Sequence, residues 1–95
     1  MYIIHLTYLK PLSEVEAHVV EHRAFLDEYY ARGIFIASGP NNPRDGGVII
    51  ASSHASRPEL DAILAEDPFA QHGVASYAVT EFTPTKHHPM LTPIL

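Results

Sequence analysis

Two residues of this chain have the types and surroundings that acid/base chemistry requires, and the first is His22. It interrupts an otherwise apolar helical stripe, whose other members at about 100° per residue are Val15, Val19, Leu26 and Tyr30. Burial on such a stripe favours the neutral imidazole, which can accept a proton at neutral pH. The alternative interpretation is a core histidine that bonds a backbone carbonyl.

Asp67 is the natural partner for His22. It precedes Pro68 at a predicted helix start, where free backbone N–H groups stabilise a carboxylate. A carboxylate bonded to one ring nitrogen would fix the imidazole tautomer and stabilise the imidazolium once formed. The plainer interpretation is that Asp67 only caps the turn that Pro68 and Phe69 open.

A metal site is a second hypothesis for the same helix. His18 and His22 lie one turn apart, which is the spacing of a two-histidine metal pair. No glutamate follows His18 in the HExxH pattern, so a third ligand would come from His5, His72 or Asp67. The glycines form neither a dinucleotide-binding nor a P-loop pattern, and we predict no cofactor.

The elements that must position these residues follow the order β-α-β-β-α-β. Alternating apolar residues predict strands over 2–9, 34–38, 47–53 and 75–84, and helical periodicity predicts helices over 13–32 and 56–65. Ser13 with Glu16 and Ser56 with Glu59 have the spacing of capping boxes. Gly33 is predicted to end the first helix in a left-handed conformation.

This order predicts an α+β, ferredoxin-like fold, in which a four-stranded antiparallel sheet carries both helices on one face. The other face is then uncovered, and strand 2–9 is apolar on both sides. We therefore expect a homodimer that packs sheet to sheet as a dimeric α/β barrel. Residues 1–95 are predicted to form one domain, with residues 85–95 as a proline-rich tail that packs on its own domain or on the partner.

Composition narrows the partners and the setting. The net charge is -5, and the six Lys plus Arg are scattered, which argues against a nucleic-acid surface. No apolar run has the length of a membrane span, and the first residues lack the basic region of a signal peptide. The absence of cysteine excludes disulfides and a Cys nucleophile and fits a cytoplasmic protein.

Taken together, these residues resemble the YCII-related (YciI-like) family over nearly the whole chain. The resemblance rests on short motifs whose order is more specific than any one of them: His22, Arg32-Gly33-Ile34, Ala37-Ser38-Gly39-Pro40, and Asp67-Pro68-Phe69 with Gly73. It implies a ferredoxin-like fold, a dimer, and an active site centred on a histidine and an aspartate, here His22 and Asp67. Family members commonly carry an arginine one turn before the histidine. Val19 takes that position here, which argues against an acidic substrate held there.

The resemblance also implies a function. One branch of the family resembles enzymes that eliminate chloride from a hydroxyquinol, and the related barrel fold hosts muconolactone isomerases. We therefore expect a cofactor-independent lyase or isomerase acting on a small phenolic or lactone substrate, with His22 moving a proton and Asp67 orienting it. Residues expected at the pocket are Ser38, Gly39 and Pro40 in its wall, with His72 and Tyr8 at its rim. The alternative is a non-catalytic ligand-binding or accessory module that uses the same pocket.

Overall fold

A four-stranded antiparallel sheet forms the centre of the computed structural model, which describes residues 1–95. The strands are β1 (Tyr2–Tyr8), β2 (Phe35–Pro40), β3 (Gly46–Ala51) and β4 (Ala75–Glu81). Their order across the sheet is β2-β3-β1-β4, so β1 is central and its Ile4 lies between Ile49 and Val79. The predicted antiparallel sheet of the ferredoxin-like type is confirmed.

The helices pack on one face of this sheet. They are α1 (Leu12–Glu16), α2 (Val19–Ala31), α3 (Arg57–Leu64) and α4 (Pro68–Gln71), and a 3-10 helix (Pro89–Ile94) follows β4. Alternation along β1 turns Tyr2, Ile4 and Leu6 towards the helices. Buried helical side chains meet them there, namely Phe25, Leu26, Tyr29, Leu60, Ile63 and Leu64.

The predicted single helix over 13–32 is wrong in one respect, because it is broken at residues 17–18. The N–H of His18 bonds the carbonyl of Val15 at 3.0 Å, an i→i−3 turn that is tighter than an α-helical one. His18 then becomes the N-cap of α2, with φ at -115°. The stripe survives the break, since Val15 and Leu26 are both buried.

The two predicted capping boxes have different outcomes. At α3 the Ser56 side chain accepts a bond from the Glu59 N–H, and the Glu59 side chain accepts one from the Ser56 N–H, as predicted. The box at Ser13 does not form, because α1 begins at Leu12 and its N-cap is Pro11, which has no side-chain acceptor. Gly33 takes the predicted left-handed conformation, with φ at 72°.

The β2–β3 hairpin lies close to α1 and to β1. Its loop reaches back so that Arg44 forms an ion pair with Glu16. At the start of β3, a Cβ on Gly46 would lie 1.8 Å from the carbonyl oxygen of Leu6. Only glycine therefore lets β3 approach β1 at this point, which brings the hairpin over the helical face of the sheet.

The second sheet face carries outward-facing residues of all four strands. Across β1 and β3, Ile3 lies opposite Ile50 and His5 opposite Val48, and the three aliphatic side chains are half-buried. The 3-10 helix of the tail has no buried residue, and Met90 is 79% exposed. No helix in the structure has both the length and the apolar composition needed to cross a membrane.

Candidate active site

His22 and Asp67, which are 45 residues apart in the chain, meet through a direct hydrogen bond. Nδ1 of His22 lies 2.8 Å from Oδ1 of Asp67. The carboxylate is fully buried, and 14% of the histidine side chain is exposed. The pair joins α2, which carries the histidine, to the start of α4, where Asp67 is the N-cap and Pro68 is the first helical residue.

Three donors satisfy the buried carboxylate of Asp67. Oδ1 accepts bonds from His22 and from the backbone N–H of Phe69 at 3.0 Å, and Oδ2 accepts one from the Tyr77 hydroxyl at 2.7 Å. Burial, together with the bond to Asp67, raises the pKa of Tyr77, so the hydroxyl keeps its proton and donates. Since carboxylate oxygens only accept, Nδ1 is the protonated nitrogen of His22.

The other ring nitrogen of His22 is available to a ligand. Nε2 makes no hydrogen bond within the chain, and no buried side-chain nitrogen or oxygen is left without a partner, so Nε2 is accessible. His22 also lines a cavity of about 410 Å³. A neutral imidazole held in this tautomer presents a basic nitrogen to whatever occupies that cavity.

Aromatic side chains fix the plane of the imidazole. The Phe69 ring stacks on that of His22 with centroids 3.9 Å apart and planes 4° from parallel. Tyr8 packs edge-on against Phe69 at 6.3 Å. Phe69 is part of the buried core and also lines the cavity, so one residue serves both purposes.

The opposite wall of the cavity comes from β2. Ser38, Gly39 and Pro40 all line it, and the Ser38 hydroxyl is 2.6 Å from that of Tyr30. Tyr8 lines the cavity as well. His72 does not, because it is the C-cap of α4 and its ring stacks on His18 with centroids 3.9 Å apart.

Two arginines that the sequence reasoning did not select also line the cavity, Arg23 and Arg44. Tyr8 and Glu16 raise the pKa of Arg44 by hydrogen bonding, which keeps the guanidinium charged. Arg23 makes no ion pair within the chain. Val19, four residues before Arg23 on α2, lines the same cavity. Residues four apart share one helix face, so this spacing is the sequence signal that could have placed Arg23 at the cavity.

The structure groups His18 with Glu21 and His72 rather than with His22 as potential metal ligands. His22 uses Nδ1 for Asp67. Of the third ligands considered, Asp67 is committed to His22. His5 lies exposed on the far sheet face.

Comparisons with known proteins agree with this architecture. The YCII-related domain model matches residues 1–83, and the chain belongs to the YCII-related family. Among solved structures it is similar to 5-chloro-2-hydroxyhydroquinone dehydrochlorinase (TftG) from Burkholderia phenoliruptrix AC1100, in complex with 2,5-dihydroxybenzoquinone. The TM-score is 0.71 at 19% identity, over 87% of this chain and 94% of that one, which establishes a shared fold. No curated protein matches the chain in sequence.

Proposed function

We propose that this protein is a lyase or isomerase that moves a proton on a small hydroxylated ring, with His22 as general base and acid. The observation that carries the proposal is the buried bond from Asp67 to Nδ1, which leaves Nε2 free beside a cavity. A fixed tautomer and an anion behind the ring are the two conditions for efficient proton transfer by histidine.

The proposed reaction needs no electron carrier. Nε2 of His22 takes a proton from the substrate, and the electron pair left behind forms a new π bond. In an elimination, the leaving group departs as an anion with its bonding electron pair. The substrate thus loses one proton and one anion, which together make one molecule of acid. In an isomerisation, the imidazolium returns the proton to a different carbon. Both reactions are redox-neutral, and Asp67 stabilises the imidazolium that each one forms.

The cavity wall supports a phenolic substrate. Arg23 and Arg44 can bind a phenolate oxygen, and Ser38 can exchange hydrogen bonds with ring hydroxyls. Tyr8 and Val19 add apolar surface to the same cavity. The similar dehydrochlorinase acts, by its name, on a chlorinated hydroxylated ring and was solved with a dihydroxyquinone. We therefore propose hydroxyquinols, with or without a halogen, as the first substrate class and lactones as the second.

The test is a panel of chlorinated and unchlorinated hydroxyquinols and lactones, assayed without oxygen for chloride release and for change in ultraviolet absorbance. We expect turnover by the wild type on at least one compound. His22→Gln should lower that turnover by roughly 10²–10⁴-fold, because it removes the proton acceptor. Binding should change little, because the arginines and the β2 wall remain.

The matched control is His54→Gln, which changes a histidine outside the cavity. Equal loss in both variants would contradict a specific role for His22. Binding of 2,5-dihydroxybenzoquinone without turnover of any compound would instead identify a non-catalytic ligand-binding module.

We also propose that two copies pack through the open sheet face as a homodimer, since Ile3, Val48 and Ile50 form an apolar strip there. Sedimentation equilibrium should give the mass of two chains. Ile3→Asp should give the mass of one, because the dimer would bury the new carboxylate. Val20→Asp is the control, since Val20 is 81% exposed on α2. A wild-type monomer, or an Ile3→Asp dimer, would overturn this proposal.

A further inference from the structure

A second cluster of potential ligands lies outside the cavity, between α2 and α4. His18 and Glu21 come from the start of α2, and His72 caps the end of α4. One ligand atom from each lies within 4.8 Å of the others. Their side chains are 24%, 62% and 48% exposed, so the cluster is open to solvent at one side.

The three side chains converge without bonding one another. Oε2 of Glu21 is 3.8 Å from Nδ1 of His18 and 3.9 Å from Nε2 of His72, both beyond hydrogen-bond distance. None of the three forms a hydrogen bond elsewhere through its side chain. Two ligands at about 2.1 Å from one tetrahedral zinc ion lie about 3.4 Å apart. The carboxylate–imidazole gaps therefore exceed that spacing by about half an ångström. The rings of His18 and His72 stack with centroids 3.9 Å apart, so one of these partly exposed rings must also rotate out of the stack to direct its nitrogen at the same ion.

We propose that His18, Glu21 and His72 bind a divalent first-row transition metal, with zinc as the representative ion. Two imidazoles and a carboxylate match the nitrogen and oxygen donors that zinc takes, whereas magnesium and calcium prefer oxygen alone. The surrounding depression is also lined by Glu14 and Lys10. Glu14 and Lys10 balance each other in charge, so the carboxylate of Glu21 supplies the net negative charge beside the two imidazoles. Water would complete the coordination.

The site has a structural consequence for the cavity nearby. Its ligands come from α2 and α4, and the same two segments carry His22 and Asp67. The N-cap of α2 is His18, one turn before His22, and the N-cap of α4 is Asp67, five residues before His72. A metal ion bound here would link α2 to α4, and it would stabilise their relative position without touching the imidazole of His22.

The experiment is a zinc titration of protein purified without a histidine tag, by calorimetry and by thermal unfolding. We expect one zinc ion per chain and an unfolding temperature that rises with zinc. His18→Gln and His72→Gln should each weaken zinc binding at least tenfold, and the double variant should lose the thermal effect.

The control is a His87→Gln, His88→Gln double variant, which removes the tail histidines and should bind zinc as the wild type does. Two outcomes would overturn the proposal: a wild type that takes up no zinc, or a His18→Gln, His72→Gln variant with unchanged affinity. Neither outcome bears on catalysis by His22, because the test measures binding and unfolding alone.

Discussion

Asp67 is the residue on which most of the candidate site depends, since one buried carboxylate holds three separate groups. It caps α4, fixes the tautomer of His22 and accepts the Tyr77 hydroxyl. A buried anion with three donors is stable, whereas loss of any donor leaves part of the charge unsatisfied. The geometry of the imidazole is therefore a property of the whole network rather than of His22 alone.

Asp67→Asn tests this dependence at the level of one atom pair. The amide keeps the shape of the side chain but removes the negative charge that stabilises the imidazolium. The nitrogen chemical shifts of the His22 ring, followed by NMR, should report the Nδ1–H tautomer in the wild type and a mixture of tautomers in Asp67→Asn, because an amide can donate as well as accept. Asp61→Asn, which alters an exposed ion pair with Arg57 on α3, should leave those shifts unchanged. Unmoved nitrogen shifts in Asp67→Asn would mean that the carboxylate does not hold the tautomer of His22.

The sequence identified the two central residues of the site but not their full surroundings. His22 was recognisable because it interrupts an apolar stripe, and Asp67 because it precedes Pro68. Alternation along β4 could turn Tyr77 inwards, yet nothing local shows which buried group its hydroxyl would meet. The sequence predicts His72 at the pocket, but the position of its ring depends on where α4 ends and on the contact with His18, which only the fold determines.

At the scale of the elements, the same Ser-x-x-Glu signal appears twice and forms a capping box once. The difference lies upstream, because Pro11 suits the position just before a helix and lets α1 begin at Leu12. Ser13 is then already inside the first turn, where its side chain has no cap to make. The order of strands and helices followed from periodicity, whereas the start of α1 depended on whether Pro11 or Ser13 takes the cap position.

Paired alanine substitutions distinguish the two serines. Ser56→Ala should lower the free energy of unfolding by about 1 kcal/mol, because it removes the acceptor for the Glu59 N–H. Ser13→Ala should leave it within about 0.5 kcal/mol of the wild type, since no cap bond is lost. Urea denaturation of both variants measures the difference. Equal losses would show that α1 is capped in solution by Ser13 after all.

At the scale of the whole molecule, the hydroxyls of Tyr29 and Tyr77 donate to carboxylates, and that of Tyr2 donates to the carbonyl of Ala55. Burial, followed by hydrogen bonds to Glu66, raises the pKa of Tyr29 to about 12. Burial also raises the pKa of Tyr77 and of Tyr2, with Asp67 and Glu81 as the respective acidic neighbours. The folded protein therefore holds these protons to higher pH than the unfolded chain does, and alkali should destabilise it.

Tyr29 defines the pH range over which alkali destabilises the folded protein. Its contribution to stability is complete below about pH 10, the ordinary value for tyrosine, and is lost as the pH rises through about 12. Each such tyrosine adds up to about 1.4 kcal/mol per pH unit to the decline over that range. Tyr29→Phe removes one titrating group, so the free energy of unfolding should fall less steeply with pH, by up to about 1.4 kcal/mol per pH unit. Denaturation at several pH values from 8 to 12 measures this slope. An unchanged slope would contradict the assignment.

The two walls of the cavity come from different parts of the fold. Every hydrogen bond that orients the imidazole of His22 leads to Asp67 and on to Phe69 and Tyr77, while Ser38, Gly39 and Arg44 contribute none of them. A Cβ added at Gly39 would meet no atom within 4 Å. New side chains on the β2–β3 hairpin could therefore reshape the pocket while proton transfer continues unaltered. A protein with this fold can therefore change its substrate through substitutions in one hairpin while His22 and Asp67 keep the same reaction.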